Sequence, residues 1–286
     1  MDELIVKSNT QINLMFQWYN ANKLAIHPNK SRCMIFHPPS RPPLLPPIEG
    51  GYYFPLYLNY NRLGDNFDIT KIKLIRLVPN RDESTFKLLG ILLDSNLNFK
   101  AHIKAVETKI TKAIFSINQM KNFLDKPYLK LMLNAYVSSH INYGSCLFTS
   151  CFQTTLRHLE ILLKKAVRIV CGKARLEHTT PLFKELGMLP LHHQIDYNVS
   201  KLMHRFVNKT LPKTFDKTWK ITGQVSGRVT RNAGKIYIPH FQLEYFRRQP
   251  LFAYPRIWNE IPIRIRNIQD EQIFSNQLKR HIMNSI

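Results

Sequence analysis

At 286 residues the chain is long enough for two domains, and 44% hydrophobic residues are enough to build real cores, which excludes wholesale disorder. A formal net charge of +22 and a pI near 10 exceed what solubility requires. They imply a polyanionic partner, nucleic acid first, because clustered Lys and Arg gain by displacing the counterions condensed on phosphates. The charge is uneven: residues 1–100 carry 12 basic and 8 acidic side chains, a net of +4, while 101–286 carry 29 and 11, a net of +18. The polyanion surface is therefore expected mainly in the second part. Charge alone does not separate RNA from DNA, and a solvated basic surface with no dedicated partner is the plain alternative.

In chain order, Leu4, Ile5, Ile12, Leu14, Met15, Trp18 and Tyr19 recur at helical spacing between Glu3 and Lys23, and Asn22 with Pro28 stops the pattern. Residues 32–36 read as a buried strand. Pro38, Pro39, Pro42, Pro43, Pro46 and Pro47 then cannot supply ladder amides, so this stretch is a loop or polyproline excursion. Aromatic and β-branched residues at Tyr52–Tyr60, Ile69–Val78 and Phe86–Leu93 suggest three further strands of a small antiparallel sheet, with turns at Leu63-Gly64-Asp65 and Asn80-Arg81-Asp82.

The period changes after Lys100, where Ile103, Val106, Ile110, Ala113, Ile114, Ile117 and Met120 mark one helix face. Further helices are expected over 127–143, 153–171, 180–187 and 190–209, with Gly172 suited to a helix end and Pro181 and Pro190 to first turns. Together they make an antiparallel bundle. The remainder, rich in Gly and Pro, reads as irregular until a final helix near 271–284.

Cys33, Cys146, Cys151 and Cys171 have no CxxC spacing, so reduced thiols are expected; Cys146 and Cys151 with His140 are conceivable ligands, but buried thiols on helix faces are commoner. Met1-Asp2-Glu3-Leu4 does not begin a secretory signal, and no uncharged run reaches the roughly 18 residues a membrane helix needs. An intracellular protein is expected, with nucleus and cytoplasm left open and no membrane partner.

The chain also carries a series of short motifs. They are Trp18-Tyr19-Asn20-Ala21-Asn22-Lys23-Leu24, Asn29-Lys30-Ser31-Arg32-Cys33-Met34-Ile35-Phe36, Lys87-Leu88-Leu89-Gly90-Ile91-Leu92-Leu93-Asp94, His140-Ile141-Asn142-Tyr143-Gly144, His178-Thr179-Thr180-Pro181 and Trp258-Asn259-Glu260-Ile261-Pro262. Their joint order resembles the stretch that follows the catalytic aspartates in the reverse transcriptase of jockey-like non-LTR retrotransposons. Two departures stand out: His27 where the family usually has Asn, and Ser31 where it has Thr.

The resemblance implies an α+β chain: a partial palm over 1–100, a helical thumb-like bundle over 101–210 and a basic C-terminal region over 211–286. It implies that Lys30 approaches the phosphates of an incoming nucleotide, although a surface lysine beside a strand is the alternative. Lys87, Leu89 and Gly90 would belong to a hairpin that grips the primer end. The family's paired aspartates, which hold two Mg²⁺ ions, would lie upstream of Met1, so no catalytic residue, metal site or cofactor is expected in this chain, and Mg²⁺ only in the complete enzyme. Asp94 reads as a turn residue, Asp2-Glu3, Asp82-Glu83 and Asp270-Glu271 as turns or helix starts, and His178 as structural.

RNA or DNA is the expected partner. On the helix over 153–171, Leu156, Leu159, Leu163, Ala166 and Val170 can face the bundle while Arg157, Lys164, Lys165 and Arg168 face outward as a phosphate-tracking surface. In the C-terminal region Arg228, Arg231, Arg247 and Arg248 lie among Tyr237, Phe241, Tyr245, Phe246, Phe252 and Trp258, a composition suited to phosphate contact with base stacking or, for Trp258 above all, to a core. Two other readings stay open: a portion of a longer active polymerase, and an unrelated basic RNA-binding or ribosome-associated protein.

Overall fold

A computed structural model of the chain describes residues 2–24, 32–38, 53–58, 73–77, 85–223, 235–240 and 244–286. The chain divides into two compact units, Met1–Leu97 and Asn98–Ile286.

In the first unit, helix α1 (Asp2–Ala21) packs against strand β2 (Tyr53–Leu58). Its end explains the first motif. Lys23 turns left-handed at φ 56°, the Leu24 amide donates to the Tyr19 carbonyl at 2.8 Å and the Lys23 amide to that of Asn20 at 3.0 Å. This double closure satisfies the last helical carbonyls. The Asn22 side chain adds a donor to the Trp18 carbonyl at 2.8 Å. The apolar spacing implied that the stripe of Leu4, Leu14, Met15 and Trp18 is buried, and the structure reverses this: those residues are exposed, Trp18 by 58%, while Asn9 and Asn13 on the other face are buried.

Strand β1 (Arg32–Cys33) runs parallel to β3 (Lys73–Leu77), which pairs antiparallel with β2, so this sheet is mixed, in the order β1-β3-β2. The small antiparallel sheet expected here therefore includes one parallel pair, and the strand expected to continue to Phe36 ends at Cys33. The stretch Phe86–Leu93, read as one strand from composition and as part of a hairpin from the resemblance, is a hairpin of β4 (Thr85–Leu88) and β5 (Ile91–Asp94). Leu89 and Gly90 form its two-residue turn with φ of 47° and 87°, the doubly positive pattern that matches strand twist and that glycine adopts without strain. Asp94 Oδ1 accepts from the Asn96 amide at 3.1 Å, which makes it the turn residue expected. The turns expected at Leu63-Gly64-Asp65 and Asn80-Arg81-Asp82 lie outside the described residues.

The second unit is helical. Helix α2 (Lys100–Met120) buries Ile103, Val106, Ile110, Ile114 and Ile117, one side of a 3.6-residue period. The helix expected over 127–143 is α3 (Lys126–Leu133), a π-helical turn at Asn134–Ser138 and α4 (Ser139–Asn142). A 3₁₀ turn at Ser145–Ser150 leads to α5 (Gln153–Val170), followed by α6 (Thr180–Leu186) and α7 (Leu191–Val207). Gly172, at φ 63°, ends α5: the Lys173 amide reaches back to the Arg168 carbonyl at 2.9 Å.

The C-terminal region holds more order than its prolines suggest. Helices α8 (Glu244–Arg248), α9 (Pro250–Glu260) and α10 (Ile263–Arg266) precede the expected final helix α11 (Glu271–Ser285). Pro250 occupies the first turn of α9, where its missing amide costs nothing, and Pro255 sits inside the helix among the buried Tyr254, Ile257 and Trp258. Burial of such side chains, each stabilising by roughly 1.5–3 kcal/mol, outweighs one lost backbone bond. Both α9 and α11 pack against α7. Helices α9 and α11 thus lie in the same compact unit, Asn98–Ile286, as α7.

His204 of α7 is at the centre of that contact. Its ring stacks on Phe274 at 4.2 Å, faces Trp258 at 6.4 Å and meets the Ile268 carbonyl through Nε2 at 2.7 Å. Among the described residues no helix is long and apolar enough to cross a membrane.

Candidate nucleic-acid interface

Helix α5 is strongly two-sided. Leu156, Leu159, Leu162, Leu163, Ala166, Val167 and Val170 are buried, and the opposite arc carries Arg157, Ile161, Lys164, Lys165 and Arg168. The structure thus brings the four expected cations onto one side of one helix. Their surroundings differ. Arg157 and Lys165 are exposed, whereas Lys164 lies 2.5 Å from Glu160, which also approaches His192 at 3.6 Å. Arg168 donates from Nε to the Glu177 carbonyl at 2.8 Å, which fixes its guanidinium beside the loop after α5. Arg157 and Lys165 are accordingly the better placed for a phosphate, and Lys164 already has Glu160 as a partner.

Between α2 and α5 runs an open groove of about 690 Å³. Ile114, Phe115 and Asn118 form the α2 wall, and Ile161, Lys165 and Ile169 the facing wall. Arg168, Lys173 and Arg175 complete the basic side, and no carboxylate among the described residues lines it. Its apolar lining is partly uncovered: Phe115 is 65% exposed and Ile161 53%. Phe115, Asn118, Lys173 and Arg175 were not singled out from sequence. A signal existed, since Phe115 is a large aromatic just off the α2 core stripe.

The other expected residues are placed elsewhere. Lys87 is exposed on β4, and Leu89 is 82% exposed at the hairpin tip beside Gly90. Lys30, Arg228 and Arg231 lie outside the described residues. Arg247 is exposed and 3.8 Å from Glu244. Arg248 departs from its expected role on an exposed face: its guanidinium lies 3.7 Å over the Phe152 ring, and its Nε and Nη1 are enclosed without a hydrogen-bond partner. The packing of a cation on an aromatic face explains this better than phosphate contact.

The residues with altered acidity serve the fold. Burial pushes the Cys146 thiol up to about 11, and raises the Cys171 thiol as well. Burial likewise raises Asp196, against the pull of Arg256 and His193, and raises Tyr254, whose hydroxyl donates to the Cys146 carbonyl at 2.9 Å. His102 is lowered by burial and then by Lys109. His178 is exposed, and Asp270 caps α11 by accepting from the Ile273 amide at 2.7 Å. Among the described residues no three His, Cys, Asp or Glu side chains are grouped to hold a metal ion.

No protein-family model, curated protein or solved structure matches the chain.

Proposed function

We propose that the chain is a nucleic-acid-binding part of a non-LTR retrotransposon reverse transcriptase, holding RNA or DNA by its phosphate backbone through the outward side of α5. The observation that carries this reading is the placement of Lys165 and Arg168 of α5 beside Lys173 and Arg175 in a groove with no lining carboxylate among the described residues, with Arg157 exposed on the same side of the helix. The net charge of +22 favours such a partner on grounds independent of that geometry. The ordered series of motifs supports the family, with residues 1–97 as palm and the helical unit as thumb.

The mechanism is electrostatic. Lysine and arginine heads replace condensed counterions along the backbone, which positions a strand without reading its bases. Arg168, steadied by the Glu177 carbonyl, can present its remaining guanidinium nitrogens as a planar fork to phosphate oxygens. Lys165 supplies a point charge from the next stretch of the helix. No chemical step is assigned to this surface, because the carboxylate pairs that would hold two Mg²⁺ ions are not among its residues.

Filter binding with unrelated RNA and DNA sequences tests the reading. The chain should retain all of them with little sequence preference, and the double change Arg157→Glu and Lys165→Glu should weaken every one alike. Retention of none, or retention indifferent to that change, would remove α5 as the binding surface.

A further inference from the structure

The groove between α2 and α5 is more than a charged surface, and we infer that it receives an unpaired nucleobase, with Phe115 as the stacking platform and Lys165 and Arg168 holding the adjoining phosphates. This inference rests on the nucleic-acid reading above and adds to it a preference for single strands. Three observations point to it. The first is the exposure of Phe115, 65% accessible although its neighbours Ile114 and Ile117 are buried. A flat aromatic held at the rim by a well-packed helix is what base stacking requires, and every base has a face to offer it.

The second is the arrangement of polarity across the groove. The α5 wall carries apolar Ile161 and Ile169 together with the cations Lys165 and Arg168, and the α2 wall carries Phe115 with the exposed, uncharged Asn118 amide. A nucleotide has the complementary division: a flat, weakly hydrated base, polar edges that an amide can pair, and an anionic phosphate. The third is size. About 690 Å³ lies within the roughly 300–1,000 Å³ of small-ligand sites and is ample for one base with its sugar. A base stacked and paired inside a duplex cannot enter such a groove without being extruded, so the site discriminates by strandedness.

An apolar lining with a basic rim also suits an acidic amphipathic helix. The unsigned amide of Asn118, the single aromatic platform and the basic excess of the whole unit favour the nucleotide.

The test is a fluorescence-anisotropy titration of the full chain with a labelled 20-nucleotide RNA, as single strand and as duplex, across several salt concentrations. Phe115→Ala should weaken single-strand binding about tenfold while leaving duplex affinity and the salt slope of either form unchanged. Phe115→Trp should restore single-strand binding, and its indole emission should be quenched by the bound strand. Because Phe115 is exposed, both variants should keep the wild-type unfolding midpoint. If Lys165→Glu flattens the salt slope but Phe115→Ala changes nothing, the base site is overturned and the backbone reading stands. Equal loss by Phe115→Ala for single strand and duplex would also overturn it. Phe115-dependent binding of a synthetic acidic amphipathic helix, with no such dependence for RNA, would assign the groove to a protein partner. Failure of the wild-type chain to bind either form of the RNA or of the DNA of the same sequence would overturn both readings.

Discussion

Asn259 holds the backbone of Ile236 from both sides: its Oδ1 accepts from the Ile236 amide at 3.0 Å and its Nδ2 donates to the Ile236 carbonyl at 2.8 Å. The side chain thus acts as a surrogate strand, and it gives the Trp258-Asn259-Glu260-Ile261-Pro262 motif a structural meaning. Trp258 fills the core, Asn259 anchors a neighbouring segment, Ile261 is buried and Pro262 opens α10. Asn259→Ala leaves two backbone groups of a buried residue without partners, so urea unfolding should show a loss of about 2–4 kcal/mol. Asn259→Asp, which keeps only the acceptor, should lose at least half as much.

Asp196 makes stability depend on pH in an unusual sense. Burial raises its folded pKa above the ordinary aspartate value, so the native state binds the proton more tightly than the unfolded chain does. Its contribution is therefore neutral well below about pH 3.9, grows unfavourable as pH rises from there to the raised folded value, and stays constant above it. Asp196→Asn should be more stable than wild type at pH 7, with the difference vanishing near pH 3. Thermal unfolding at both pH values measures this, and an equal or lower midpoint for the variant at pH 7 would contradict it.

Cys146 should be nearly inert. With its thiol at about 11, only about one molecule in a thousand is thiolate at pH 8. Iodoacetamide labelling read by mass spectrometry should leave Cys146 unmodified in the native chain and modify it rapidly once urea unfolds the bundle.

Primer extension with Mg²⁺ or Mn²⁺ should give no template-dependent DNA synthesis by these 286 residues, because in-line phosphoryl transfer needs two ions clamped by paired carboxylates. Reproducible templated incorporation would contradict this expectation.

Local patterns were the legible part of this chain. Helix α5 could be read to within a residue because its buried leucines and outward cations alternate at the period of one helix. Helix α1 shows the limit: periodicity marks a stripe without saying that Asn9 and Asn13, not Trp18, are covered. The prolines of α9 concealed a helix, since a first-turn proline and a breaker look alike in sequence. Site details were illegible where partners are distant. Nothing local pairs Asn259 with Ile236, 23 positions away, or lays Arg248 over Phe152. The groove likewise joins Phe115 to Lys165 across two helices.

The salt dependence of nucleic-acid affinity tests the central claim most directly. Each phosphate contact on duplex DNA contributes about 0.9 to the slope of log affinity against log salt, so Arg157→Glu with Lys165→Glu should flatten that slope by about two units and leave sequence preference unchanged. Lys164→Glu alone should alter it less, because Lys164 is already matched by Glu160. A slope unchanged by the double variant, with binding still intact, would show that the α5 side is merely solvated and that the polyanion is held elsewhere.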